Sequence, residues 1–197
     1  VNLLEQIPGL RAAVAAEQFA RDLAFAEVPE DVAGVAVGPL NWLRFTRLAV
    51  IGSPFICGGQ VTPTNLKATL WLLAPDYDPA ARWRRWRFLS RADKIPYLKL
   101  VNALDEYFRE ALMDSPAGRR SEGESPSYYS TIAAQVDLFA NEYGWPAAEI
   151  IRLPFKQLWQ LLRRIQARNG SEVFFNPSDK VRGAWLSAEN SKRLGTN

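Results

Sequence analysis

The chain has no histidine and only one cysteine, Cys57, among its 197 residues. Without histidine there is no Ser-His-Asp or Cys-His nucleophilic system and no imidazole to ligate a metal. One thiol supplies neither a disulfide within the chain nor a thiolate zinc site. Cys57 lies in "ICGGQ", which lacks the Gly-Lys-Ser/Thr of a phosphate loop. With no imidazole to activate it, it is expected to be a small buried hydrophobe. Long apolar runs are also missing: "LAVIGSPFIC" is broken by Gly52 and Pro54 and falls well short of the ~18 residues that a membrane span requires. Glu5, Arg11 and Glu17 interrupt the N-terminal stretch where a signal peptide would carry an unbroken apolar core. A cytoplasmic, non-membrane protein is the expectation.

A strong excess of one charge is missing too, with 24 Lys and Arg against 21 Asp and Glu, a net +3. The charge instead alternates in blocks: residues 1–37 carry −4, residues 38–99 carry +7, residues 100–149 carry −6 and residues 150–197 carry +6. Such blocks suit docking between proteins, self-association included, at least as well as a phosphate-tracking surface. Hydrophobic residues make up 48% of the chain, enough to bury one sizeable core, so a folded protein is the default.

What the chain does have is proline at the start of helix-like runs. The missing N–H of proline is harmless at the first helical position, and its fixed φ already suits a helix. "GPLNWLRFTRLAVIG", "TPTNLKATLWLLA", "DPAARWRRWRFLSRA", "IPYLKLVNALDEYFREALM", "SPSYYSTIAAQVDLFANEYG", "WPAAEIIRL", "LPFKQLWQLLRRIQARNG" and "NPSDKVRGAWLSAENSKRLG" all follow the pattern. Thr62, Asp78, Ser125 and Asn176 precede the proline in four of them and are predicted N-caps. Gly52, Gly144, Gly170 and Gly195 fall where helices should stop. With one more amphipathic run over Arg11 to Glu27, the pattern predicts an all-α compact bundle of about nine helices, a single domain over 1–197. "DSPAGRRSEGESPS", residues 114–127, is polar with no apolar anchor, and predicts a mobile loop between lobes 1–113 and 128–197. "VPEDVAGVAVG" is expected to be an irregular connection.

In "RWRRWRFLSR", Trp83, Trp86 and Leu89 recur at i, i+3, i+6 while Arg84, Arg87 and Arg91 recur on another face. Two readings compete. One is an amphipathic helix with buried indoles; the other is an exposed strip of Trp83, Arg84, Trp86 and Arg87 that contacts a partner, since Trp and Arg dominate interface hot spots. Base stacking and a membrane surface are weaker readings of the same residues. In "GWPAAEIIRLPFKQLWQLLRRIQARNG", the run after Pro154 has an apolar face of Phe155, Leu158, Trp159, Leu161, Leu162 and Ile165. Lys156, Gln160, Arg163 and Arg164 are left outside. That outer face could read a major groove, but the preceding helix is short and the usual turn is missing, so packing against protein is the expectation. Asp105, Glu106 and Glu110, and Asp76 with Asp78, have no companion cluster and are assigned surface or capping roles. "NGS" at 169–171 reads as a helix-ending turn. No catalytic residue, metal ligand or cofactor-binding residue emerges, and no cofactor is expected.

"IGSPFICGGQVTPTNLKATLWLLAPDYDP", "SYYSTIAAQVDLFANEYGWPAAEIIRLPFKQLWQLLRRI" and "VFFNPSDKVRGAWLSAEN", taken in order, resemble small helical morphogenesis proteins of tailed bacteriophages, and among them the tail assembly chaperones. An aromatic helix, Tyr-Gly-Trp, a short helix, Leu-Pro and a long amphipathic helix carry the resemblance, over roughly residues 50–190. It implies a non-enzymatic protein of the host cytoplasm that binds the helical tape measure protein, or another tail protein, while the tail is built. No catalytic or ligand residue defines such families, so none transfers to this chain. A virion structural or head-to-tail connecting protein is the alternative, and a DNA-binding packaging or regulatory factor a further one. Nucleic acid and membrane are not expected as partners.

Overall fold

The computed structural model of the protein describes residues 15, 16, 19, 21–26, 29–113 and 130–170. The chain divides into two compact units, Glu27–Ile165 and a second made of Val1–Ala26 with Gln166–Asn197. The first, described except for residues 27, 28 and 114–129, is mostly helical, as the proline-started pattern predicts. The predicted loop 114–127 and the predicted helix start at Asn176 lie outside the described residues. Within the predicted run Arg11 to Glu27, the described residues are helical to Leu23 and end in a 3-10 turn, Ala24–Ala26.

"VPEDVAGVAVG" is not irregular: it forms a hairpin of β1 (Glu30–Val32) and β2 (Val35–Val37), paired antiparallel with Val32 opposite Val35 and Glu30 opposite Val37. Ala33 and Gly34 turn the chain at φ 55° and 96°, the doubly positive pair of a two-residue hairpin loop. The Asp31 carboxylate accepts from Gly34 N at 2.8 Å and steadies that turn. Period-2 alternation puts Val32, Val35 and Val37 into the core. The segment is too short for its alternation to stand out in sequence, and a turn carrying alanine at positive φ is a weak signal.

The helices follow as α1 (Trp42–Val50), α2 (Pro54–Cys57), α3 (Pro63–Leu73), α4 (Arg82–Ala92), α5 (Tyr97–Met113), α6 (Thr131–Tyr143), α7 (Ala147–Ile150) and α8 (Phe155–Arg168). Thr62 caps α3 as predicted, accepting from Asn65 N at 3.2 Å. α1 and α4 begin three residues beyond Pro39 and Pro79. Asn41 caps α1 through Arg44 N at 2.9 Å. Asp78 caps no helix; its carboxylate holds a turn through Ala80 N at 3.0 Å, and α4 starts at Arg82. Ser130 caps α6, and Gly144 ends it in the left-handed region at φ 68°.

The core centres on Trp42, whose ring meets Phe155 edge-on at 4.8 Å and Trp159 at 6.3 Å. Its Nε1 donates to Gln135 Oε1 at 2.7 Å, tying α1 to α6. Trp159 Nε1 donates to Ala111 O at 3.1 Å, tying α8 to α5. Helices on both sides of residues 114–127 thus share one core.

The link 38–43 ties the unit together. Gly38 N donates to Leu73 O at 2.7 Å, Phe155 N to Leu40 O at 2.8 Å and Leu43 N to Ile151 O at 3.1 Å. Asn41 Nδ2 donates to Arg152 O at 3.1 Å. The Leu40 carbonyl therefore satisfies one of the orphan amides at the start of α8. Tyr107 donates its hydroxyl to Gly38 O at 2.9 Å. Burial, reinforced by Glu30 and opposed by Arg44, raises the Tyr107 pKa far above the ordinary 10.0. The folded chain keeps that proton where the unfolded chain loses it, so this contribution to stability is complete below pH ~10 and declines above it. Alkaline urea titrations are expected to show a stability loss above pH ~10 that is smaller in Tyr107→Phe. Parallel pH profiles for the two proteins would contradict it.

Candidate functional site

α4 is built from residues that tolerate a helix well, Arg, Trp, Phe, Leu, Ser and Ala, with no glycine, proline or β-branched side chain inside it. Its inner side packs on α3: Phe88 lies 6.0 Å from Trp71, and Ala92 is buried. Trp71 also meets Tyr77 at 5.5 Å, and the Arg47 guanidinium sits 5.3 Å over the Tyr77 ring. At about 100° per residue, a helix that turns Phe88 and Ala92 inward carries Trp83 and Trp86 well away from the core.

The two indoles are 68% and 61% exposed and stack on each other, centroids 4.9 Å apart with rings 25° from parallel. The core-packed alternative for this helix therefore does not apply to them. The same projection places Arg82 on one side of the indole pair and Arg87, Arg91 and Arg84 on the other. Among the described residues, no carboxylate lies within 4.0 Å of any α4 guanidinium. The first turn of α4 also breaks a local rule. It holds Arg82, Arg84 and Arg85 at the positive end of the helix dipole, with no acidic residue and no capping side chain.

Two open clefts flank this face. One, of about 310 Å³, runs beside Arg82, Arg85, Trp86 and Leu89. The other, of about 370 Å³, runs over Leu66, Leu70, Ile95 and Leu100. Lys67 and Asp93 line both, joined by an ion pair of 2.7 Å between side chains 45% and 52% exposed. A pair that wet contributes under ~1 kcal/mol, so it is a weak bar between the clefts. Tyr97 fixes the far end by donating its hydroxyl to Val61 O at 2.6 Å, and Leu98 beside it is exposed. Of the predicted strip, Trp83, Arg84, Trp86 and Arg87 all stand on the outer side of α4. Arg82 and Arg85 were within reach of the same projection. Lys67 and Asp93 come from elements that sequence spacing does not bring together.

The α7–α8 pair presents a different picture. α7 is a single turn, and the junction 151–155 is held by the backbone of 40–43. Lys156, expected outside, bonds Glu30 at 2.9 Å and lies 3.9 Å from Glu110. Gln160 Nε2 donates to Lys156 O at 3.0 Å, and Gln160 and Arg163 are half-buried. Only Arg164 of the four outer residues is exposed. A recognition helix needs those side chains free to reach base edges.

Cys57 is exposed rather than buried, its Sγ 3.8 Å from Ala49 O, because it ends the short α2 on the solvent side. Glu106 pairs with Arg109 at 3.4 Å on an exposed face of α5. Among the described residues no group of three Cys, Asp or Glu converges to hold a metal ion, and no helix is long and apolar enough to cross a membrane. Set against protein families, curated proteins and solved structures, the chain matches none of them.

Proposed function

We propose that the protein is a non-enzymatic docking protein of tailed-bacteriophage assembly, a tail assembly chaperone that covers apolar stripes of the helical tape measure protein in the host cytoplasm. The observation that carries this reading is the exposed Trp83–Trp86 stack, bordered by guanidinium groups that have no carboxylate within 4.0 Å among the described residues. Exposed indoles of this size are costly to leave in water, and Trp with Arg is the pairing that anchors protein interfaces. The sequence resemblance supplies the partner. The absence of histidine leaves the usual nucleophilic and imidazole chemistries without their central part. The engaged outer side of α8 weighs against DNA reading.

The test is size-exclusion chromatography with light scattering, on the protein alone and mixed with helical fragments of the tape measure protein, with duplex DNA as competitor. A co-eluting complex that ignores the DNA is expected. The double variant Trp83→Ala/Trp86→Ala is expected to weaken that complex by about 30-fold or more, the scale of a single hot spot, while moving thermal stability little. Fragments that never co-elute, with DNA shifted at low salt instead, would reverse the proposal. Recovery of the protein in purified particles by mass spectrometry would point to the connecting-protein alternative.

A further inference from the structure

We infer that the face made by α3, α4 and the start of α5 takes an acidic amphipathic helix, with apolar side chains seated in the two clefts and carboxylates set against Arg82, Arg85 and Lys67. The inference rests on the reading of α4 as a protein-docking face and adds the chemical class of what docks there.

Charge is the first argument. Five guanidinium groups on eleven residues of α4 have no carboxylate within 4.0 Å among the described residues. Three of them crowd a helix start that has no capping side chain and lies at the positive end of the helix dipole. The fold tolerates this local conflict, and an anionic partner removes it. A basic partner would aggravate it.

The clefts argue for side chains rather than phosphate. Leu66, Leu70, Leu100 and Ala92 are buried along one of them, and Leu89 and Trp86 border the other. Aliphatic side chains fit such floors. Trp83 and Trp86 already use one ring face each on one another, so a base has no slot between them. α3, α4 and α5 offer no unpaired strand edge for an extended peptide, whereas a helix seats anchors at i, i+3 or i+4, and i+7 in grooves between helices. Displacing Asp93 from Lys67 costs little, so a partner carboxylate can take its place and open one cleft into the next.

Two labelled peptides of about 20 residues test this, sharing one leucine stripe but carrying glutamate or lysine elsewhere, titrated by fluorescence anisotropy against the full chain. The acidic peptide is expected to bind at least ~10-fold tighter than the basic one and to weaken as salt rises from about 50 to about 500 mM. Arg82→Glu/Arg85→Glu is expected to lose ~10-fold or more, and the milder Arg82→Gln/Arg85→Gln part of that, with thermal melts showing that both remain folded. Equal binding of the two peptides, or no response to either variant, overturns the inference. Displacement of the acidic peptide by a single-stranded oligonucleotide of equal charge at lower concentration overturns it in favour of nucleic acid. A dimer in light scattering that the same variants abolish, without peptide binding, overturns it in favour of a second copy of the chain. Tape measure fragments that bind wild type and charge-reversed protein alike would sink this inference and leave the proposed function standing. An acidic peptide that binds where those fragments do not would do the reverse.

Discussion

Replacing Trp159 with alanine is expected to lower the unfolding free energy by about 3–5 kcal/mol, a far larger loss than at either indole of the outer α4 face. Trp159 is 3% exposed and meets Phe155 at 5.2 Å and Trp42 at 6.3 Å. Its removal leaves a void where α1 and α8 meet. It also strands the Ala111 carbonyl, which loses the 3.1 Å bond from Nε1. With total stabilities of roughly 5–15 kcal/mol, such a loss leaves much of the protein unfolded at moderate temperature. Urea titration followed by tryptophan fluorescence measures it. Trp159→Phe separates the terms, keeping most of the ring contact while losing the hydrogen bond, with an expected cost of about 1–3 kcal/mol. Trp83→Ala is the contrast, since its ring is mostly in water. If it proved as damaging as Trp159→Ala, the assignment of one indole to the core and the other to the outer face would be wrong.

Gly38→Ala is expected to cost about 2–4 kcal/mol although it adds one methyl group. A Cβ at residue 38 would overlap the Arg44 guanidinium, which lies against the glycine. That guanidinium donates from Nη1 to Pro39 O at 2.7 Å and from Nη2 to Ala74 O at 3.2 Å. Burial pulls its pKa below the ordinary guanidinium range, while Tyr107 acts in the opposite sense. A partly buried guanidinium is tolerable only while its donors are occupied. Forcing it aside leaves the Pro39 and Ala74 carbonyls without this donor and loosens the link that satisfies the start of α8. A double-mutant cycle decides the cause. In an Arg44→Ala background the cost of Gly38→Ala is expected to shrink by at least ~1.5 kcal/mol, because the obstructing group is gone. An unchanged cost would mean that the close approach to Arg44 is not the reason.

The outer face of α4 was half legible. The i, i+3, i+6 spacing of Trp83, Trp86 and Leu89 announced a single stripe, but spacing does not say whether a stripe faces core or water. The structure separates the three: Leu89 is half-buried, and the indoles are out. Phe88 decides it, because its contact with Trp71 sets the rotation of the helix. The clefts were not legible at all, since Lys67 and Asp93 are brought together from α3 and the end of α4.

The α8 face failed in a related way. Of the apolar positions that periodicity assigns, Phe155, Leu158, Trp159, Leu162 and Ile165 are buried, and Leu161 is half-buried against the same core. Its polar positions were expected to be open, yet Lys156 lies against Glu30 on a hairpin that the pattern did not reveal. Cys57 failed because composition predicts what a residue prefers, whereas a one-turn helix at the surface sets where it goes.

Local chemistry by itself determined the helical class, the cap at Thr62, the stop at Gly144 and the apolar sides of the helices, because each depends on a few neighbouring residues and a fixed period. Only the tertiary structure decided which stripe was covered, where Arg44 could hide its charge and which glycine had to stay bare. Those outcomes depend on groups far apart in the chain meeting at a few ångströms, and no local period encodes such a meeting.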